Sequence, residues 1–411
     1  MPEFLTLIPP EDARRKWFSH IDPVDLKSEI VDILHTAGRI SAEEIRSPQS
    51  LPHFKKSTVD GYAVIARDTF GAGESMPAYL KIAGEIPMGS AIQSGIEPGT
   101  AFLIHTGGAV PEGSDAIVML ENTQVAPSGE IEISRAVAVG ENIIHVGEDI
   151  RDGEILIEKG RRIRPSEVGA LAAVGITNLR VANKVRVGII STGDEVVDPS
   201  SAIGIGQVRD INSYTLAALL EKETAEPKLY GIVEDDFEKL LKIAAKAFME
   251  CDALLITAGS SASIRDMTAN VINELGDPGV LVHGINTKPG KPTILGVCNG
   301  KAVVGLPGNP VSALVNGMLF VLPLVDYLAG ILPSPFESKV QARLMLNLPS
   351  QAGREDWHPV RLIRKESDWI AEPVFGKSNL IFTLSTADGL ICIPADSTGL
   401  SAGELVDVHP L

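Results

Sequence analysis

Lys288 and Lys291 stand beside prolines and glycines in the stretch HGINTKPGKPTILGVCNGKAVVGLPGNPVSAL, from His283 to Leu314. Two ammonium groups on so tight a loop suit the capture of an anion. The stretch ends in Leu306-Pro307-Gly308-Asn309-Pro310 and then a long apolar run. Asn309 can cap a helix there, and Pro310 at its first position gives up an N–H that had no partner anyway. Such a helix start directs free N–H groups and a partial positive charge at whatever lies above it. No Asp or Glu occurs from Pro278 through Val325, whereas Lys288, Lys291 and Lys301 do. In a chain of formal net charge −17, that is a local island of positive potential.

A second polar set follows three predicted strands. Ser191-Thr192-Gly193-Asp194-Glu195 comes after 185–190, and Glu234-Asp235-Asp236 after 228–233. After 253–257 come Ala258-Gly259-Ser260-Ser261-Ala262-Ser263 and then Asp266. In an open α/β sheet, ligands sit beyond the carboxyl ends of the strands. Carboxylates converging there from separate loops repel unless a hard cation lies among them. Mg2+ suits that place, taking a few carboxylate oxygens and completing its shell with water or phosphate. Taken singly, Asp194 or Asp235 caps the next helix as readily as it binds a metal. Jointly, and opposite an acid-free lysine segment, they point to a cation-assisted anion site. Its chemistry would be that of phosphate esters and anhydrides, or oxyanion capture.

Other chemistries find little support. Ala202-Ile203-Gly204-Ile205-Gly206-Gln207 lacks the third glycine of a dinucleotide fingerprint, and no GxxxxGK[ST] occurs. HExxH and Gly-x-Ser-x-Gly are absent too, and His105, His145 and His283 read as solitary structural residues. Cys251, Cys298 and Cys392 lie far apart with no CxxC, which fits a reducing cytoplasm and neither a zinc knuckle nor a disulfide framework. The acidic balance argues against nucleic acid and anionic membrane as partners. MPEFLTLIPPEDARRKW has no apolar core of a secretory signal. The apolar run 311–328 contains Asn316, Pro323 and Asp326, and predicts a buried helix rather than a membrane span.

The elements that must position these residues divide a 411-residue chain into several domains. Residues 1–50 with 146–180 predict a mixed α/β linking domain. Its helices would start at Pro23-Val24-Asp25-Leu26 (ending near Gly38), at Ser41-Ala42-Glu43-Glu44, and at Arg164-Pro165-Ser166-Glu167. In 51–145, Gly and Pro recur between short β-rich runs, as expected of an inserted β-rich domain; Asp60-Gly61 reads there as turn chemistry. Strand and helix alternate over 181–330, the pattern of a doubly wound α/β domain. Residues 331–411 return to short strands and predict a small β-barrel-like domain.

Six stretches, in order, resemble the molybdopterin molybdenumtransferase family, known as MoeA in bacteria and as the gephyrin E-domain in animals. They are STVDGYAV, TGGAVPEGSDAIVMLENT, VGEDI, ISTGDE, KPGKPTILG and LPGNPVSAL, and the match runs nearly end to end. The resemblance implies an elongated homodimer of four-domain subunits. It also implies a reaction in which adenylylated molybdopterin and molybdate yield molybdenum cofactor, AMP and water, with Mg2+. Carried over residue by residue, the functional positions fall on Asp60, Thr106, Asp149, Glu195, Asp235, Asp266, Lys288, Lys291, Pro307 and Pro310, with Arg354 and Ser378 near the C-terminus.

In that picture Lys288, Lys291 and the N–H groups around Gly308 and Asn309 hold the anions. Asp194, Glu195, Asp235 and Asp266 bind or orient the cation, while Thr192, Gly193, Ser260 and Ser261 serve phosphate or pterin oxygens. Asp60, Thr106 and Asp149 would face the site across a cleft or across the dimer. The molybdopterin adenylyltransferase and recipient molybdoenzymes are the implied protein partners. The chain departs from the family at Ser263, where relatives carry glycine, at Arg265, often acidic elsewhere, and at Lys55-Lys56, where many have Asp-Asn. Two other readings stand beside this one: adenylyl transfer to molybdopterin, and a non-catalytic dimeric scaffold.

Overall fold

The computed structural model describes residues 7–22, 27–90, 95–222, 225–258, 262–331, 339–365 and 368–411, with 262–264 as backbone alone. The chain divides into two compact units. One contains residues 1–43, 159–164 and 178–411, the other 44–158 and 165–177.

The first unit is built on a six-stranded sheet in the order Ala225–Val233, Val185–Thr192, Ala253–Ala258, Lys301–Pro307, Ile294–Cys298, Pro278–His283. The first four strands are parallel, with the helices Asn212–Glu221, Phe237–Glu250 and Ala262–Leu275 on the connections. Strands covered on both faces must be apolar at every position, which explains the unbroken runs in Val185–Thr192 and Ala253–Ala258. Val187, Ile189, Leu255 and Val304 enter one core, and Ile190, Leu254, Ile256 and Val303 the other. Strict strand–helix alternation ends at residue 278. No helix separates the last three strands, so they return antiparallel as hairpins and form a mixed edge.

The apolar run after Asn309 folds as Pro310–Asn316, a π-helical stretch Gly317–Val321, and Leu322–Leu328. It is long and apolar enough to cross a membrane, but 61% of its most apolar window is buried inside this unit. Phe320, Leu324 and Val325 pack into the core, as expected of a buried helix.

Five strands of the C-terminal region close into a small barrel. Glu355–Lys365 pairs with Asp368–Pro373, which pairs with Val340–Leu344, and the circuit continues through Leu405–Pro410 and Gly389–Ile393 back to Glu355–Lys365. A sixth strand, Thr287–Lys288, comes from the α/β sheet's own hairpin loop and adds in parallel to Glu355–Lys365. That short pairing ties the lysine loop to the barrel.

The N-terminal expectation needs correction. Ser28–Asp32 is a strand paired antiparallel with Asn178–Ala182, not part of a helix reaching Gly38. Asp32 then caps the 3-10 turn Ile33–His35 by accepting from the Leu34 N–H at 2.8 Å. A partner some 150 residues away decides the conformation, and local propensity does not register it. Pro23 to Leu26, the expected helix start, lies outside the described residues. Ser41 forms an isolated antiparallel bridge to Val181 in place of the second helix. The N-terminal helix is Pro10–Phe18, anchored by buried Trp17, whose Nε1 donates to Gly296 O at 2.8 Å.

The second unit holds a six-stranded sheet in the order Ala116–Met119, Gly61–Val64, Thr100–Ile104, Ala78–Glu85, Glu130–Ile133, Thr123–Val125. Gly61 opens a central strand and is not a turn residue. A Cβ there would lie 2.0 Å from Val118 O, so only glycine permits the pairing.

Candidate active site

The loop between Pro278–His283 and Ile294–Cys298 presents both lysines. It is closed by hydrogen bonds from Ile285 N–H to Lys291 O (2.9 Å) and from Thr293 Oγ1 to Gly290 O (2.8 Å). Gly290 has φ +109, and a Cβ there would fall 1.6 Å from Asn316 Nδ2, so both conformation and space require glycine. A cavity of about 1060 Å³ opens beside this loop, lined in part by Lys288, Lys291, Pro307, Asn309, Arg354 and Ser378. Six residues singled out from the sequence thus share one cavity, although the chain separates the first from the last by 90 positions.

Several details differ from the sequence reading. Asn309 occupies the N-cap position but makes no side-chain cap; its Nδ2 donates to Ser378 Oγ at 3.1 Å. Ser378 O accepts from the Val311 N–H (3.1 Å), and Gly308 O from Asn212 Nδ2 (3.0 Å). Lys301 does not belong to the anion island: its Nζ donates to Phe248 O and Cys251 O at the end of Phe237–Glu250. The island is acid-free in sequence but not in space. Asp356, from the barrel strand, is fully buried and lies 3.5 Å from Lys288 Nζ and 3.3 Å from Arg354 Nε.

Asp194, Glu195 and Asp235 form a second group, on the loops after Val185–Thr192 and Ala225–Val233. Gly193 has φ +143, and its missing side chain leaves room for Glu195. Asp194 Oδ1 accepts from the Asp235 N–H at 3.0 Å. Burial, then the charges of Asp194 and Glu195, raise the Asp235 carboxyl above its usual range. Asp235 Oδ1 is buried with no hydrogen-bond partner. A carboxylate oxygen without a donor, beside two further acids, is the environment a hard cation relieves, so these residues fit Mg2+. Among the described residues no three acidic, His or Cys side chains are assembled at metal-holding distances, so a preformed all-protein cage is absent there. Asp236 is the helix cap, accepting from the Lys239 N–H at 2.9 Å.

Thr192 is buried, and its hydroxyl donates to Thr257 O (3.3 Å), a bond within the sheet that commits its one donor. Asp266 is exposed near the start of Ala262–Leu275. Ser260 and Ser261 lie outside the described residues. The backbone at Ser263 is in the first turn of that helix, where no left-handed conformation is called for.

In the second unit, Asp60 Oδ1 accepts from Thr106 twice, from the backbone N–H (2.7 Å) and from Oγ1 (3.1 Å). Those two bonds, helped by His105, hold the Asp60 carboxyl below its ordinary range. His105 is not the solitary residue expected: Nε2 lies 3.1 Å from Glu85 Oε1 and Nδ1 3.8 Å from Asp60 Oδ1. Asp149 is exposed, and its backbone N–H donates to Leu51 O (3.1 Å).

Asp356 and His358 were missed. Arg354, Asp356 and His358 do recur at every second position of Gly353-Arg354-Glu355-Asp356-Trp357-His358, although Glu355 between them is charged as well. That period places them on one face of a strand.

A mixed α/β sheet whose lysine hairpin pairs with a small barrel frames this site, and comparison with known proteins gives its family. Family profiles match residues 8–175 (MoeA N-terminal region, domain I and II), 188–327 (probable molybdopterin binding domain) and 341–411 (MoeA C-terminal region, domain IV). A putative molybdopterin biosynthesis protein of Methanocaldococcus jannaschii is 38% identical over 94% of this chain and 92% of its own length. The molybdopterin molybdenumtransferase of Haemophilus influenzae is 31% identical over 97% and 98%. The crystal structure of a molybdopterin biosynthesis MoeA protein from Pyrococcus horikoshii superposes with a TM-score of 0.85 at 32% identity, covering 99% of this chain and 100% of that one. The chain belongs to the molybdopterin molybdenumtransferase (MoeA) family.

Proposed function

We propose that this chain inserts molybdate into adenylylated molybdopterin, with Mg2+, yielding molybdenum cofactor, AMP and water. One observation carries the reading beyond family membership. Lys288 and Arg354, from separate elements, converge on a cavity of about 1060 Å³ that Lys291, Asn309 and Ser378 also line. That volume suits a pterin-sized ligand, and the cations suit an oxyanion and a phosphate. Lys288, Lys291 and Arg354 bind these charges, while Ser378, held by Asn309, offers a hydroxyl beside them. Asp235, with Asp194 and Glu195, would hold Mg2+, and Asp266 would orient its shell. The cation would supply charge neutralisation at the phosphoanhydride. Asp60, favoured as an anion by its two bonds from Thr106, and Asp149 lie in the second unit and enter the proposal on the family resemblance alone.

The four-part division given under Sequence analysis, a homodimeric state, a cytoplasmic location, and transfer to recipient molybdoenzymes belong to the same proposal. The test is AMP release from adenylylated molybdopterin. It should require both molybdate and Mg2+, and fall sharply in Lys288→Ala and Asp266→Asn. Release independent of molybdate would sink the reading.

A further inference from the structure

Arg354, Asp356 and His358 alternate along the chain and line the cavity together. Asp356 is 0% exposed. Ser350 Oγ donates to its Oδ2 at 2.6 Å, and Lys288 Nζ and Arg354 Nε lie 3.5 and 3.3 Å from its carboxylate oxygens. Oδ1 accepts no hydrogen bond. The backbone pairing places Lys288 directly opposite Asp356, so the contact is fixed by register and not by side-chain reach alone. Two cations from different elements therefore meet at one buried carboxylate. Without it they would repel across the same few ångströms. Burial, the largest influence, draws the His358 imidazole below its ordinary value, against the pull of Asp356.

We propose that Asp356 is a positioning residue that also limits the oxyanion affinity of this site. It holds Lys288 and Arg354 together while cancelling part of their charge, so a bound oxyanion is kept loosely enough to react and leave. The inference rests on the molybdate-binding reading above. A residue that merely supports the fold would weaken binding when altered. A counter-charge, once removed, strengthens it.

Equilibrium titration of the full chain with molybdate, at low and high ionic strength, separates these cases. Asp356→Asn keeps an acceptor for Ser350 but loses the charge. Its molybdate Kd should fall about tenfold at low salt, with the gain shrinking as salt screens the site, while the kcat for AMP release drops. Should that variant fail to fold, Lys288→Met and Lys288→Met/Asp356→Asn carry the same comparison with one cation fewer, and the double variant should bind molybdate more tightly than the single. Equal or weaker binding in both comparisons overturns the inference and leaves the reading intact, provided the wild type binds molybdate. No binding by the wild type overturns both.

Discussion

Asp60 and Asp235 are both carboxylates that family resemblance marks as functional, and their surroundings push them in opposite directions. Asp60 is exposed and held by two donors from Thr106, so its charge is favoured. Asp235 is partly buried, faces Asp194 and Glu195, and has an oxygen with no donor, so its charge is disfavoured. The first is complete as folded. The second carries an unmet demand for positive charge. A catalytic chain keeps such a demand where a cation arrives with substrate, since a preformed partner would remove the reason for binding it.

The largest effect that could break this contrast is on turnover. Asp235→Asn should lower molybdate-dependent AMP release about 100-fold by weakening the cation, whereas Asp60→Asn should cost about tenfold, through orientation alone. Equal losses in steady-state assays would erase the distinction. Next in size is a thermal shift. Mg2+ well above its Kd should stabilise the wild type by about 2 to 3 kcal/mol, and Asp235→Asn should show little of it. A full Mg2+ response in that variant would place the metal elsewhere.

Smaller, but with a defined sign, is the pH dependence. The folded Asp235 carboxyl lies above its unfolded value, so its favourable contribution is present below the unfolded value and lost as pH rises through the folded one. Asp235→Asn should therefore be the more stable protein at neutral pH without Mg2+. The two should converge near pH 4 and below. Denaturant melts across that window check the sign, and a wild type more stable than the variant at pH 7 would contradict the assignment of Asp235 as the strained carboxylate.

How far these sites could be read in advance depended on the range of the interactions that make them. The apolar runs of Val185–Thr192 and Ala253–Ala258 announce strands covered on both faces because burial leaves its mark on each residue in turn. Lys288, Lys291 and Asn309 were legible as one cluster for a similar local reason, and they line one cavity. Asp356 did not announce itself, because its meaning comes from a pairing with Lys288 across 68 positions. The strand Ser28–Asp32 was misread as helix on the same ground, its partner lying beyond residue 177. His105 looked solitary until folding set Glu85 and Asp60 on either side of it.

The smallest predicted effect concerns Thr192, which sits one residue before Gly193 and two before Asp194, and which resemblance had enlisted for ligand binding. Its hydroxyl is buried and already donates to Thr257 O in the neighbouring strand. Thr192→Val keeps the shape and removes that bond, at a cost of about 1 kcal/mol in stability. The molybdate KM and the rate of AMP release should stay within about twofold of wild type, since a group spent inside the sheet adds nothing to the transition state. A loss of tenfold or more in kcat with an unchanged melting profile would mean that the hydroxyl turns to the substrate. The acid loops would then recruit a neutral donor as well as a cation, and the contrast between a finished and an unfinished carboxylate would have to include it.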